Sequence, residues 1–268
     1  MQRRSLFSFG LVYYLLLAFF LYLPILLLIL FSFNDSTLLV FPLKGFTLKW
    51  YTALTNAREL IESVQNSLLV GLSSSFVSVV LGAMAGIAIA RFQFPGRGFF
   101  LAISSLPLVI PYVVLGVALL LLFAQFNVKL SLFTVAAAHI VINVPYVMLI
   151  VAARLAGFEQ NLEEAAMDLG ATYWGTLMRV TLPISAPALV AAFLSSFTTS
   201  FDEFALAFFL TGTDNTLPVY LYSQLRFPSR LPLVVTLAAV IMLVSVILVV
   251  LSEWLRRIGT QPTSRPQT

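Results

Sequence analysis

Charge is scarce in this chain. Of its 268 residues, 10% are Asp, Glu, Lys or Arg, 60% are hydrophobic, and the mean hydropathy is +1.00. A soluble domain carries about 25% charged residues, so a water-soluble globule is excluded in favour of a polytopic membrane protein. Cysteine is absent, which excludes disulfides, thiolate metal sites and a cysteine nucleophile. The only histidine, His139, has no second ligand at metal spacing, so no metal site is expected. Three lysines precede Gly45, Trp50 and Leu130. None can belong to the GxxxxGK(S/T) loop that cradles nucleotide phosphates. HExxH and GxSxG are missing too, and nothing places a serine and an orienting acid beside His139 for hydrolysis. The chain reads as a non-enzyme with no cofactor of its own. Any uphill transport must draw on an ion gradient or a partner protein. The net charge of +4 is spread over single basic residues at segment ends, without the stripe that nucleic acid requires.

What the chain has instead is long apolar runs. A span needs about 20 mostly apolar residues, and six segments qualify: 10–33, 66–90, 98–123, 132–153, 186–210 and 232–252. Hydrocarbon forces backbone groups to pair internally, so an all-α, six-helix membrane domain is expected over 10–258. Residues 1–9 and a disordered tail, 259–268, flank it. The apolar run from Leu11 to Phe33 is too long for a signal-peptide core, so the first span is read as uncleaved. With both termini cytoplasmic, nine basic residues lie inside and six outside. Arg3, Arg4, Arg91, Arg256 and Arg257 flank spans on the inner side, as the positive-inside rule requires.

Within this frame, Phe46, Trp50, Tyr51 and Leu54 fall on one face of a short interfacial helix. The second span carries Gly71, Ser73–Ser75, Ser78, Gly82, Ala83 and Gly86, small residues that let helices approach closely. Pro107 and Pro111 predict a bent third span. His139 is read as bonding a neighbouring helix. The fifth span carries Ser200, Phe201, Asp202 and Glu203. Carboxylates in hydrocarbon are costly, so the acid pair is expected in an aqueous cavity, where its negative potential suits a cationic solute.

The least membrane-like stretch is 154–182. Leu155, Phe158, Leu162, Ala165, Ala166 and Leu169 recur at helical spacing. Gly170 stops the pattern, a second short helix is expected from about Thr172 to Arg179, and Pro183 marks re-entry toward the fifth span. Two short helices on the cytoplasmic face present small residues and Glu164 to a partner. An exposed ion pair contributes about 0.2–1 kcal/mol, so docking there rests on shape and apolar contact.

Glu164-Ala165-Ala166, three residues, Gly170, nine residues, then Val180-x-Leu182-Pro183 resembles the signature of permease subunits of type I binding-protein-dependent ABC importers. Val180 stands where isoleucine is usual. Trp50-Tyr51, Asn66-Ser67-Leu68, Arg91-Phe92 with Phe94-Pro95-Gly96-Arg97, Pro107, Pro111, Ser200-Phe201-Asp202-Glu203-Phe204 and Phe208-Phe209-Leu210-Thr211-Gly212 are similar to the second permease of spermidine/putrescine-type importers. The resemblance implies that Glu164, Ala165, Ala166, Gly170, Leu182 and Pro183 couple to an ATP-binding-cassette ATPase dimer, which would bind ATP and magnesium. It implies a second permease, an extracytoplasmic solute-binding protein, a bacterial inner-membrane location, and a polyamine cargo. An opine or amino-acid derivative is the alternative cargo, and a stand-alone ion-coupled secondary transporter the alternative machine. Ser200, Phe201, Asp202 and Glu203 would lie along the substrate path.

Overall fold

The structure, a computed structural model, describes residues 9–157, 159 and 161–259. The expected N-terminal segment except Phe9, the expected tail except Gly259, and Phe158 lie outside the described residues. The described backbone is helical, with one isolated antiparallel bridge between Asn34 and Phe46 and no strand. Its helices fall into two compact units: residues up to Arg58 together with those from Leu221, and Glu59–Tyr220.

In the first unit, α1 (Phe9–Ser32) packs against α12 (Leu231–Gly259). Thr236 Oγ1 donates to the Ser32 carbonyl at 3.3 Å. Pro24 lies within α1. After α1 the chain folds on itself. Asn34 Oδ1 accepts from Lys44 N at 3.1 Å, Trp50 Nε1 donates to the Asn34 carbonyl at 2.9 Å, and Tyr51 shares a 2.7 Å hydrogen bond with Ser32. Trp50 and Tyr51 sit on α2 (Lys49–Asn56). The expected amphipathic helix therefore starts three residues late: Phe46 precedes it and is held in the bridge to Asn34. The polar tips of Trp50 and Tyr51 are thus bonded to Asn34 and to Ser32 at the end of α1.

The second unit is organised by α3 (Arg58–Arg91), whose 34 residues extend about 51 Å at 1.5 Å per residue. That exceeds the roughly 30 Å of hydrocarbon, so the helix begins well before the span expected at 66 and carries Glu59 and Glu62 on its protruding turns. Gly82 and Gly86 face α6 (Leu132–Ala156), while Gly71 meets Phe197 and Ser74 meets Ser200 further along the chain. A Cβ on Gly82 would stand 2.5 Å from Val147 Cβ and 2.9 Å from the Val144 carbonyl, and one on Gly86 would stand 2.8 Å from the Met148 carbonyl. Close approach of this kind is how helices associate where lipid removes the hydrophobic drive.

The third span is broken, as its prolines predict. Helix α4 (Arg97–Ser105) passes through a 3₁₀ turn at Leu106–Leu108 and meets α5 (Tyr112–Gln125) at a bend of 102°. Pro111 has no N–H to donate and bars Ile110 from helical geometry. The loop helices α7 (Asn161–Asp168) and α8 (Tyr173–Thr176) precede α9 (Leu182–Asp202) and α10 (Ala205–Leu210). Helix α9 begins at Leu182 with Pro183 in its first turn, where re-entry is expected, and the backbone is helical from Tyr173 to Asp202. A π-helical segment at Leu177–Thr181 joins α8 to α9. Its wider turn relieves the clash between the Pro183 ring and the carbonyl four residues earlier. The fifth span also ends at Asp202 rather than 210, because Glu203 leaves helical geometry (φ −72°, ψ 118°). Val135, Ala138, Ile142, Leu206 and Leu210 anchor one buried cluster, and Val147, Val151, Leu155 and Ala192 another. Helix α11 (Leu217–Gln224) closes the second unit with Leu217, Val219 and Tyr220 buried.

Four described helices are long and apolar enough to cross a membrane, five when the bent α4–α5 pair is one span.

Gly82→Val tests the α3–α6 approach. Overpacking of a tight core costs about 1–3 kcal/mol, so a clearly lower thermal midpoint is expected in detergent. Gly98→Ala, where an added Cβ meets nothing within 4 Å, should leave the midpoint unchanged.

Candidate functional site

The 154–182 loop is built around a glycine stop. Helix α7 ends in a Schellman arrangement: Ala171 N donates to the Ala166 carbonyl at 3.0 Å and Gly170 N to the Met167 carbonyl at 2.9 Å. Gly170 is left-handed at φ +88°, a conformation that disfavours any side chain bearing a Cβ. Nothing lies within 4 Å of where its Cβ would be. Leu169, placed by periodicity on the helix's apolar face, is instead 90% exposed. Glu164, Ala165 and Asp168 are exposed, and Ala166 is half-buried. Thr172 Oγ1 caps α8 by accepting from Gly175 N at 3.1 Å. Leu182 is half-buried and Pro183 exposed in the first turn of α9. The outcome is a protruding elbow of two short helices whose apolar and small residues find no cover in their own chain.

Glu163, next to Glu164, turns the other way. Its Oε2 is 2.8 Å from Arg91 Nε, its Oε1 accepts from Thr181 Oγ1 at 2.7 Å, and Arg91 Nη1 donates to the Leu155 carbonyl at 3.1 Å. A cavity of about 290 Å³ opens beside this group, with Met167, Tyr173, Thr176 and Leu177 among its walls.

Asp202 and Glu203 do not share one environment. Asp202 is exposed, while Glu203 is 6% exposed. Consecutive residues at a helix end point in different directions, and Glu203 is pulled inward by unpaired backbone donors. Its carboxylate accepts from Leu206 N at 2.9 Å and from Ala207 N at 3.1 Å, at the start of α10. His139 Nε2 stands 3.4 Å from Glu203 Oε2, and His139 Nδ1 shares a 2.6 Å hydrogen bond with Ser200 Oγ. Ser200 in turn shares a 3.0 Å bond with Ser74. Phe201 is half-buried, stacked at a tilt on Phe197 with centroids 5.8 Å apart. His139, Ser200, Ser74 and Glu203 thus tie α3, α6, α9 and α10. His139 bonds a neighbouring helix, as its position in an apolar run suggests. No group of three or more His, Cys, Asp or Glu suited to a metal ion exists among the described residues.

Comparison with known proteins places these features in a family. Residues 78–258 match the model for the inner membrane component of binding-protein-dependent transport systems. The chain is 32% identical over 243 residues to the spermidine/putrescine transport system permease protein PotC of Escherichia coli K12, covering 90% of this chain and 91% of that one. The chain belongs to this permease family. It is also 33% identical over 221 residues to the putrescine transport system permease protein PotI of the same strain, 79% of this chain and 78% of that one. A bacterial ABC transporter that imports alginate shares the fold at a TM-score of 0.67 and 17% identity, over 96% of this chain and 100% of that one. The same kind of transporter, in complex with a pentasaccharide-bound periplasmic protein, aligns at a TM-score of 0.68 and 18% identity, over 95% of this chain and 96% of that one. The chain is therefore a multi-pass permease component of an ABC importer and not a catalytic enzyme.

Arg91, Glu163 and Thr181 join the site only in the structure. A usable signal was present in the sequence: a basic residue in the last turn of an apolar span needs a partner. Glu203→Ala would leave two buried backbone donors unpaired, each worth about 1–3 kcal/mol. A marked fall in the thermal midpoint of the purified permease is expected for Glu203→Ala and none for Asp202→Asn, measured by the same melting assay.

Proposed function

We propose that this permease forms half of the path by which an ATP-driven importer moves a polyamine across a bacterial inner membrane. In this reading α1, α3, the bent α4–α5 pair, α6, α8–α9 and α12 are six spans with both termini cytoplasmic. An ABC ATPase dimer, which binds ATP and magnesium, seats against the α7–Gly170–α8 elbow. A second permease completes the path, and a solute-binding protein delivers cargo from outside. The observation that carries the reading is the elbow itself. Ala165, Leu169 and Gly170 are exposed on a helix–glycine–helix corner, with Leu169 90% exposed. Glu164, Leu182 and Pro183 flank that corner.

The cargo is inferred from charge and from the relatives. PotC and PotI are named as spermidine/putrescine and putrescine permeases. At the end of α3 remote from Arg91, Glu59, Glu62 and Asp214 are the charged residues lining a cavity of about 230 Å³, alongside Asn66 and Asn215. Asn66 Nδ2 holds that wall by donating to the Asn215 carbonyl at 3.0 Å. On the extracytoplasmic side, three carboxylates concentrate cations and repel anions. Exposed Asp202 adds negative potential along α9. Ser200, Phe201 and Glu203 position that end of the helix from inside.

Two measurements test this. Gly170→Asp forces a left-handed residue to carry a charged side chain into the docking corner. Uptake in membrane vesicles should fall at least about tenfold, the scale of a typical coupling energy, while the protein still inserts. Retained ATP-dependent uptake would remove the elbow from the mechanism. Asp202→Asn should lower spermidine uptake about fivefold or more through lost electrostatic attraction, with the binding protein's affinity for spermidine unchanged. Wild-type uptake would take Asp202 out of the path.

A further inference from the structure

We infer that Arg91 and Glu163 are positioning residues for transport: a buried strut that carries movement of α7 into three membrane helices. The inference rests on the reading of the α7–α8 elbow as the ATPase seat, and it concerns a face of α7 distinct from that seat. Arg91 is the last residue of α3, Leu155 lies in the last turn of α6, and Thr181 ends the π-segment that runs into α9. Glu163 is in the first turn of α7. The ion pair at 2.8 Å and the two hydrogen bonds at 2.7 and 3.1 Å bring all four elements to one point.

The burial of this point decides what it can do. The side chains of Arg91 and Glu163 are 9% and 13% exposed. A solvated pair exchanges its partner for water at little cost, and so transmits no displacement. A buried pair that separates leaves two uncompensated charges, which is strongly unfavourable. Desolvation offsets much of the pair's attraction, so its contribution is fixed geometry more than stability. Displacing α7 must therefore drag Arg91 and Thr181 with it.

The covalent route is weaker. Gly157 ends α6 and Asn161 begins α7, so no continuous helix joins the elbow to the fourth span. On the other side, Gly170 stops α7 before α8, and only from Tyr173 does an unbroken helical run lead through the π-segment into α9. Thr181 is bonded to Glu163 at the end of that segment, so the strut bypasses it. Arg154 Nη2 also donates to the Ile184 carbonyl at 3.2 Å, an exposed contact between α6 and α9 that water can replace and that carries little of the movement. Along α7, Glu164 and Ala165 are exposed while Glu163 is directed inward. One helix thus presents a docking face and a transmitting face about a third of a turn apart.

The test uses the complete importer in nanodiscs, with its own binding protein purified carrying its native ligand. The readout is the stimulation of ATP hydrolysis when that binding protein is added outside. This signal must cross from the outer face to the ATPase, and it does not require the cargo to be identified. In Glu163→Gln, co-purification of the ATPase and basal hydrolysis are expected to persist while stimulation falls about tenfold. Thr181→Val, which removes one hydroxyl bond to Glu163, should lower stimulation less. The exchange Arg91→Glu with Glu163→Arg should recover stimulation above either single change. Full stimulation in Glu163→Gln overturns the strut. Loss of ATPase co-purification in Glu163→Gln and the exchanged pair alike overturns it too, since the pair would then only hold the fold. Gly170→Asp separates the two ideas. If the ATPase still co-purifies with that variant, the docking reading fails; if it is lost there while Glu163→Gln retains full stimulation, only the strut fails.

Discussion

The close approach of α3 and α6 is the constraint from which the second unit's other contacts follow. Hydrocarbon offers no hydrophobic gain for bringing two apolar helices together, so contact depends on backbones coming near enough for dispersion to act over many atoms. Gly82 meets Val147 and Gly86 meets Val151, a constant offset that fixes two parallel helices in register. Carried toward the elbow, the register brings Arg91 level with Leu155, whose carbonyl it bonds. Carried the other way, it brings Ser74 level with His139, and both lie near Ser200 of α9. One turn along from these, Ser78, Asn143 and Ser196 are buried as well. The polar contacts at both ends of the interface are thus consequences of where two glycines sit.

The two ends use buried charge differently. Near α10, Glu203 is held mainly by backbone donors at the start of that helix, with His139 Nε2 3.4 Å from one carboxylate oxygen. That arrangement suits a fixed corner: the fifth span stops, the chain turns, and Thr134 Oγ1 donates to the Leu210 carbonyl at 2.8 Å to close α10 against α6. Beyond it Gly212, at φ +67°, passes so close to Leu130 that a Cβ would stand 2.3 Å from its carbonyl oxygen. At the elbow, Glu163 is compensated by a side chain from another element. A backbone-held carboxylate stays with its helix, whereas a side-chain pair joins elements that can move as one.

Much of this was legible in the sequence because the bilayer restricts the options. Apolar length marked the membrane helices, Pro107 and Pro111 marked the broken one, and small residues marked the α3 face that packs on α6. Gly170 announced its stop because a left-handed C-terminal residue is almost a glycine property. Span ends were less legible. Hydropathy reports solvent, not hydrogen bonding, so α3 continues beyond the apolar run through Glu59 and Glu62. Pro183 marked the start of α9 but not the helical run that leads into it. A proline's missing donor breaks an ordinary helix, but a π-turn just before it removes the clash, and no composition signal marks that turn. Asp202 and Glu203 read as a pair because they are adjacent in sequence, while a helix end sends adjacent side chains apart. Arg91 and Glu163 are 72 positions apart, and only the register of α3 and α6 brings the end of one span beneath the start of the elbow.

That register also bears on why Glu163 and Glu164 stand side by side. A docking helix must present small or apolar residues outward and remain attached inward. A helix of eight residues such as α7 buries too little surface to stay attached by apolar contact alone: none of its residues reaches full burial. Its hold on the unit must come from polar contacts, and the Glu163 carboxylate supplies two from one side chain: an ion pair with Arg91 and a hydrogen bond accepted from Thr181. Placing that carboxylate beside Glu164 keeps both tasks within the first turn, where the helix dipole favours negative charge. The same turn can then grip the membrane helices on one side and receive a partner on the other.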